Sequence, residues 1–252
     1  MTAGDFRLLD RAEQLLIRDC MRHAGFTYVP APGTAPEGAF PYVQDDAARA
    51  RREGFGARAA RPVPDPNAAY IKALPGDRRD AYGVALNGGG PGAPGVLVTL
   101  PQGGELGQNV TSCRSTAENR LYGDFRAWFR AKSIADDLPY LRTVQVMNDP
   151  AYAAAAARWS RCMRGRGFAY RTPQDASAAF PKRSGGSPRK KEIAAAVATA
   201  ECAGRTGFAG TARRLDRAYA NSLRTKYRAS VEKERALAAI ALPRARTIVR
   251  AG

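Results

Sequence analysis

The sequence predicts a mainly α-helical protein made of two tandem helical modules, each stapled by one disulfide. A small β-hairpin is expected in the first module and a long helix at the C-terminus. Three observations lead to this fold class: apolar residues recur at helical spacing, a nine-residue frame occurs twice, and the four cysteines divide two to each copy of the frame. The predicted boundary gives a first module at 1–147 and a second at 148–252.

The repeated frame has the form C-M-R-x-x-G-F-x-Y. Cys20–Tyr28 and Cys162–Tyr170 match at six fixed positions with identical spacing, which indicates an internal duplication. A helical apolar pattern precedes each cysteine. A glycine, Gly25 or Gly167, then follows where the helix should stop, because glycine tolerates the left-handed conformation of a C-terminal cap. The two copies are therefore expected to share a helix end and the turn after it.

Periodicity and turn residues divide the first module into five helices and one hairpin. The β-branched segment Val96–Leu100 is predicted to pair with Tyr82–Leu86 across a glycine- and proline-rich linker. Pro139 is expected to separate the last two helices, because proline lacks the backbone N–H of a helix interior. These helices are predicted over residues 5–24, 45–52, 67–74, 113–137 and 140–147.

The second module reads as four helices. Asn148-Asp149-Pro150 predicts a helix start, since proline is favoured at the first helical position. A Ser/Gly-rich loop is expected at 181–188 and a break at 204–210. The helices are predicted over residues 150–164, 173–180, 188–204 and 211–241, the last being the long C-terminal helix.

Four cysteines allow three pairings, or four free thiols. The duplication favours Cys20–Cys113 with Cys162–Cys202, because only this pairing keeps each bond inside one copy. Such bonds imply an oxidising compartment. The first residues, Met1–Asp5, carry no apolar segment, so no signal peptide is expected here, and these two indications conflict.

A second motif runs through the second module. Trp159–Gly167 has the form W-S-x-C-M-x-x-x-G, and a second cysteine frame and a long helix follow it. This arrangement resembles uncharacterised extracytoplasmic proteins of actinobacteria, many of which carry a signal or lipoprotein peptide. The resemblance covers residues 145–240 well and the first module more loosely, through Leu121–Asp124. At Thr199-Ala200 the chain departs from the Ala-Asp pair usual in that frame. The resemblance implies an extracytoplasmic location, supports the disulfide pairing and brings no activity with it.

The charge is strongly basic and uneven. The 252 residues include 40 Lys and Arg against 23 Asp and Glu, a net charge of +17. From Lys182 onward there are 17 basic and 5 acidic residues, a local net of +12. Such a surface attracts nucleic acid, anionic lipid headgroups and cell-wall polymers. The alternative explanation is a GC-rich genome, whose codons favour Arg and Ala.

The last predicted helix carries a stripe of arginines at offsets of 4, 7, 4 and 7. Its members are Arg213, Arg217, Arg224, Arg228 and Arg235. Apolar residues take the opposite side of the helix. The stripe is interpreted either as a contact surface for a polyanion or as the solvated face of a packed helix.

Catalytic, metal and cofactor sites are not expected. His23 is the only histidine, and no cysteine pair has the CxxC spacing of a zinc site. The adjacent pairs Asp45-Asp46 and Asp136-Asp137 should diverge, because neighbours on a helix point about 100° apart. Trp128 and Trp159 are interpreted as core residues.

These observations favour a non-enzymatic binding or cell-envelope-associated protein, secreted or attached to the envelope. Its expected partner is an anionic cell-wall polymer or a membrane surface, reached through the basic helix. One alternative is an intracellular nucleic-acid-binding protein that uses the same charge. Another is an enzyme whose site lies between the modules. The state of the thiols and the salt dependence of binding distinguish the first two.

Overall fold

The computed structural model describes residues 1–31, 40–55, 64–89, 92–180 and 189–252. Within them the chain is mainly helical, with one small hairpin, two disulfides and a long C-terminal helix, as predicted. The helices are α1 (Ala3–His23), α2 (Ala47–Glu53), α3 (Ala68–Ala73), α4 (Gly76–Asn87), α5 (Cys113–Tyr122), α6 (Phe125–Met147), α7 (Pro150–Arg164), α8 (Pro173–Ala178), α9 (Lys190–Arg205), α10 (Phe208–Lys226) and α11 (Arg228–Ala251). The strands are β1 (Gly95–Thr99) and β2 (Glu105–Asn109). The predicted loop at 181–188 lies outside the described residues.

Close contacts group the chain into two compact units, each assembled from separate segments. Unit 1 comprises Met1–Pro36, Pro64–Leu138 and Arg224–Gly252, and unit 2 comprises Glu37–Val63 and Pro139–Leu223. The sequence-based modules 1–147 and 148–252 follow chain order instead, and they assign the C-terminal helix to the second module. In the structure α11 packs on α1 and α5 inside unit 1.

The core of unit 1 forms where one face of α1 meets α5 and α11. α1 begins with a capping box, in which Thr2 Oγ1 accepts from the Asp5 N–H and the Asp5 carboxylate accepts from the Thr2 N–H. The buried face of α1 comprises Leu9, Ala12, Leu15, Leu16, Ile17 and Met21. The buried residues of α11 are Leu237, Ala238, Ala241 and Ala245. Burial of each large aliphatic side chain contributes about 1.5 to 3 kcal/mol to stability.

The core of unit 2 contains three wholly buried aromatic residues, Tyr42, Trp159 and Phe208. Trp159 on α7 packs in the same cluster as Cys202, and its indole N–H donates to the Thr199 carbonyl on α9 at 3.2 Å. Tyr42 donates its hydroxyl to Asp216 on α10 at 2.6 Å. The prediction that Trp159 is a core residue is therefore confirmed.

The duplicated frame has the same local structure in both copies. Gly25 has φ of 79° and Gly167 has φ of 83°. In each copy the next residue turns back on the helix: the Phe26 N–H donates to the Met21 carbonyl at 2.9 Å, and the Phe168 N–H donates to the Met163 carbonyl at 3.0 Å. This is the hydrogen bond of a glycine-terminated helix cap. The predicted helix ends are confirmed.

Each cysteine pair joins two helices of one unit. Cys20–Cys113 connects α1 to α5 across 93 residues, and Cys162–Cys202 connects α7 to α9 across 40 residues. Their Cα atoms are 5.5 and 5.8 Å apart, within the ordinary range for disulfides. The predicted pairing is confirmed. Loops of these lengths contribute about 4 kcal/mol each on the chain-entropy account.

The hairpin has a different partner strand from the one predicted. β1 pairs with β2, with Val96 opposite Gln108, and Tyr82–Leu86 lies within helix α4. The four-residue spacing of Tyr82 and Leu86 buries both side chains on one face of that helix. Between the strands, Gly103 has a positive φ of 101°, which permits a tight local turn. The hairpin therefore forms with the segment that follows β1, in place of the predicted hairpin with Tyr82–Leu86.

The observed helix boundaries differ from the predicted ones at two further places. α6 continues through Pro139, and the chain breaks instead at Gly123, whose φ is 87°. An internal proline costs about 3 kcal/mol, but α6 has buried side chains on both sides of it, including Ala131 and Val146. The predicted helix 211–241 is two helices, interrupted at Tyr227 with φ −106° and ψ 25°.

The two glycines of the turn after α7 provide a matched test of the cap. Gly167→Ala places a side chain at a positive φ, which costs an L-residue about 1 to 2 kcal/mol. Gly165 has helical φ of −62°, so Gly165→Ala should change stability by less than about 0.5 kcal/mol. Urea denaturation of both variants measures the difference. Equal effects of the two substitutions would contradict the assigned cap.

Candidate functional site

A cavity of about 340 Å³ opens in unit 1 beside the hairpin. Its lining residues are Leu100, Leu106, Gln108, Glu118, Trp128, Phe129, Lys132, Ser133, Asp136 and Asp137. Most of them belong to α6. Phe129, Ser133 and Asp136 lie at offsets of four and three and therefore share the helix face that lines the cavity. The hairpin and α5 complete the wall.

Asp137 fixes the hairpin turn against α6. The buried Asp137 carboxylate accepts from the backbone N–H of Gln102 at 3.0 Å and from its side-chain Nε2 at 2.6 Å. The neighbouring Asp136 is exposed and forms an ion pair with Lys132, one helical turn away. The two aspartates therefore diverge, as predicted. Asp137 holds the turn in place, whereas Asp136 lies at the rim of the cavity.

Glu118 is the cavity carboxylate with the most perturbed proton affinity. It is partly buried on α5 and accepts from Gln108 Nε2 on β2 at 2.6 Å. Burial, followed by the nearby carboxylate of Glu13, raises the pKa of Glu118 to about 7. Glu118 therefore exchanges its proton near neutral pH.

Glu13 on α1 carries the second perturbed carboxylate of this region. Its Oε2 accepts from the Tyr122 hydroxyl at 3.4 Å. Burial, followed by repulsion from Asp10, raises the pKa of Glu13 to about 6, while Lys132 and Arg114 act in the opposite direction. The fold thus keeps acidic groups in a setting that favours their protonated forms.

Trp128 lies in the cavity wall and has one unused donor. The side chain is 3% exposed and stacks on Tyr122 with ring centroids 3.5 Å apart. Its burial confirms the core prediction. Its Nε1–H is buried and has no hydrogen-bond partner among the described residues, although buried indole N–H groups usually have one.

The sequence did contain a signal for the two glutamates. Glu13 lies four residues after Leu9 and three before Leu16, so it occupies the apolar face of α1. Glu118 likewise lies three residues before Leu121 on α5. A carboxylate at an apolar position of an amphipathic helix indicates a buried acid. The helix pattern does not predict that the hairpin packs beside Glu118.

The five stripe arginines are all exposed. Arg213 forms an ion pair with Asp45, and its guanidinium lies 4.5 Å from the centre of the Phe40 ring. Arg228 lies 4.0 Å from Glu232 in an exposed pair. Within the described ranges, the side chains of Arg217, Arg224 and Arg235 form neither an ion pair nor a hydrogen bond. The break at Tyr227 places three of the five on α10 and two on α11, so the stripe does not follow one straight helix.

The structure also places the histidine and the cysteines that the sequence analysis considered. His23 is exposed at the end of α1, with Nδ1 2.6 Å from the Asp19 carbonyl. All four cysteines are disulfide-bonded. In the part of the chain that the structure describes, no cluster of His, Cys, Asp or Glu is arranged to hold a metal ion. None of the helices there combines the length and apolar character needed to cross a bilayer.

Comparison with protein-family models, with curated proteins and with solved structures found no match to this chain.

The raised pKa of Glu118 predicts a specific pH dependence of stability. The folded state favours the protonated acid, so the stabilisation from this group is complete below its ordinary pKa of 4.5 and is lost as pH rises through about 7. Glu118→Gln mimics the neutral acid and keeps an acceptor for Gln108. Denaturation should therefore show a more stable variant at about pH 8, by up to about 3 kcal/mol, and little difference at about pH 4.

Glu105→Gln is the matched control for this experiment. Glu105 is an exposed glutamate on β2, the strand whose Gln108 donates to Glu118. Its substitution therefore removes the same charge from a neighbouring element without removing a buried carboxylate. Its effect should stay within about 0.5 kcal/mol at both pH values. If both variants gain the same stability at high pH, burial of Glu118 is not the cause.

Proposed function

We propose that this protein is a non-enzymatic, extracytoplasmic protein of the cell envelope that binds an anionic polymer through the exposed arginines of α10 and α11. The observation that carries the proposal is that all five stripe arginines are exposed while apolar residues of the same helices, such as Leu223 and Leu237, are buried. A polymer can therefore bind the arginines without disturbing the packing of the two helices.

The charge on this surface is suited to phosphate or carboxylate groups. Arg217, Arg224 and Arg235 form no ion pair among the described residues, so their guanidinium groups are available to external anions. A guanidinium binds such oxygens in bidentate geometry. The net charge of +17 adds long-range attraction for a polyanion. Binding by these groups is electrostatic and weakly dependent on the detailed structure of the polymer.

The proposed location is supported by the two disulfides, which are compatible with an oxidising compartment. It is also supported by the resemblance of the cysteine frame to extracytoplasmic proteins. The residue type at this surface is suited to binding and not to proton transfer. Arginine stays protonated at all ordinary pH values and does not exchange protons as a general acid or base.

Removal of the three unpaired arginines should weaken binding to linear polyphosphate. The variant Arg217→Gln, Arg224→Gln, Arg235→Gln is expected to lose at least about tenfold in affinity at low salt. Its slope of log K against log salt should fall in magnitude by about 2, because each lost phosphate contact reduces the counterions released. Titration calorimetry at several salt concentrations measures both quantities.

The control carries the same change of charge elsewhere. Arg7, Arg126 and Arg158 are exposed and form no ion pair in the described segments, so the variant with Gln at these positions should keep most of the affinity. Equal losses in the two variants would overturn the assignment to α10 and α11.

The state of the thiols tests the proposed location. A non-reducing intact mass two hydrogens lighter per bond would support the envelope location. Free thiols in protein isolated from its source, with tighter binding to duplex DNA than to polyphosphate, would favour the intracellular alternative.

A further inference from the structure

The cavity beside the hairpin has the opposite character to the surface of the protein. Three carboxylates line it, those of Glu118, Asp136 and Asp137, against the single ammonium of Lys132. The whole chain carries a net charge of +17. An acidic cavity in so basic a protein favours a cationic occupant by local charge, since interactions beyond about 10 Å are screened at ordinary salt concentrations.

The three carboxylates are not equally available to a ligand. Asp136 is paired with Lys132, and Asp137 accepts two hydrogen bonds from Gln102. Among the described residues, the hydrogen-bond partner of Glu118 is the neutral side-chain amide of Gln108. A carboxylate accepts more hydrogen bonds than this single one, so Glu118 keeps capacity for a cation that enters the cavity.

The rest of the wall is apolar or incompletely bonded. Leu100, Leu106 and Phe129 supply hydrocarbon and aromatic surface, and Leu106 is 43% exposed. Trp128, which also lines the cavity, retains a buried Nε1–H without a partner among the described residues. This N–H needs an acceptor, which an ammonium group does not provide, so the case for a cation rests on Glu118 and the apolar wall.

We propose that this cavity binds a small organic ammonium ion, whose charged nitrogen pairs with the Glu118 carboxylate and whose hydrocarbon portion packs on Leu100, Leu106 and Phe129. The volume of about 340 Å³ accommodates a ligand of roughly ten heavy atoms. This site is separate from the arginine surface and does not depend on the function proposed for it.

The charges around Glu118 determine how binding depends on pH. Glu13 raises the pKa of the Glu118 carboxyl, whereas Arg114 and Lys132 lower it. Asp10 acts on the same cluster through Glu13. Because an ammonium ion pairs with the ionised acid, affinity should rise as pH increases through about 7 and should level off before the amine itself loses its proton.

Titration calorimetry with phenethylamine at about pH 8 tests the proposal. The native chain should bind phenethylamine at least about tenfold more tightly than phenethyl alcohol, which has the same hydrocarbon without the charge. Phenylacetate, with the opposite charge, should bind more weakly still. Equal binding of amine and alcohol, or no binding of the amine at millimolar concentration, would overturn the proposal.

Glu118→Gln and Glu105→Gln separate the site from general electrostatics. Glu118→Gln should lose at least about tenfold in affinity for phenethylamine, and its affinity should no longer rise with pH. Glu105→Gln removes a charge from an exposed position on the neighbouring hairpin and should bind as the native chain does. The variant without Arg217, Arg224 and Arg235 should also bind phenethylamine normally, so failure of this site is distinguishable from failure of the polymer surface.

Discussion

The covalent link between the end of one helix and a second helix is the constraint on which each unit depends. Cys20 and Cys162 lie in the last turns of α1 and α7, and each is bonded to a cysteine of another helix in the same unit. A glycine with positive φ follows five residues later and turns the chain back over the helix end. The two features together fix where each helix stops and which helix packs against it.

This constraint also explains how unit 1 tolerates an electrostatically unfavourable region. Burial of Glu13 and Glu118 near each other disfavours their ionised forms and reduces stability at neutral pH. The disulfide Cys20–Cys113 joins the two helices that carry these glutamates, α1 and α5. Its contribution of about 4 kcal/mol is of the size needed to offset the cost of one strongly perturbed acid.

The net charge conceals two surfaces of opposite sign. Exposed arginines of α10 and α11 account for part of the basic excess, while the cavity in unit 1 has three carboxylates in its wall. The acidic patch forms because α5 and α6 bring their carboxylates together beside the hairpin, so a count of charges along the chain does not detect it. The polymer surface and the small-cation site proposed above follow from this separation.

Local features of the sequence determined the ends of α1 and α7, the duplicated caps and the partners of the four cysteines, because each depends on residues close together in the chain or on the symmetry of the repeat. The sequence also determined that Trp128 and Trp159 are buried. The tertiary structure alone decided that β1 pairs with Glu105–Asn109, a segment without the alternating apolar pattern of a buried strand. It likewise decided that α6 continues through Pro139, that α11 packs in unit 1 and that a cavity forms beside Glu118. These outcomes depend on contacts between distant segments, whose packing energies outweigh the local preferences that a sequence pattern reports.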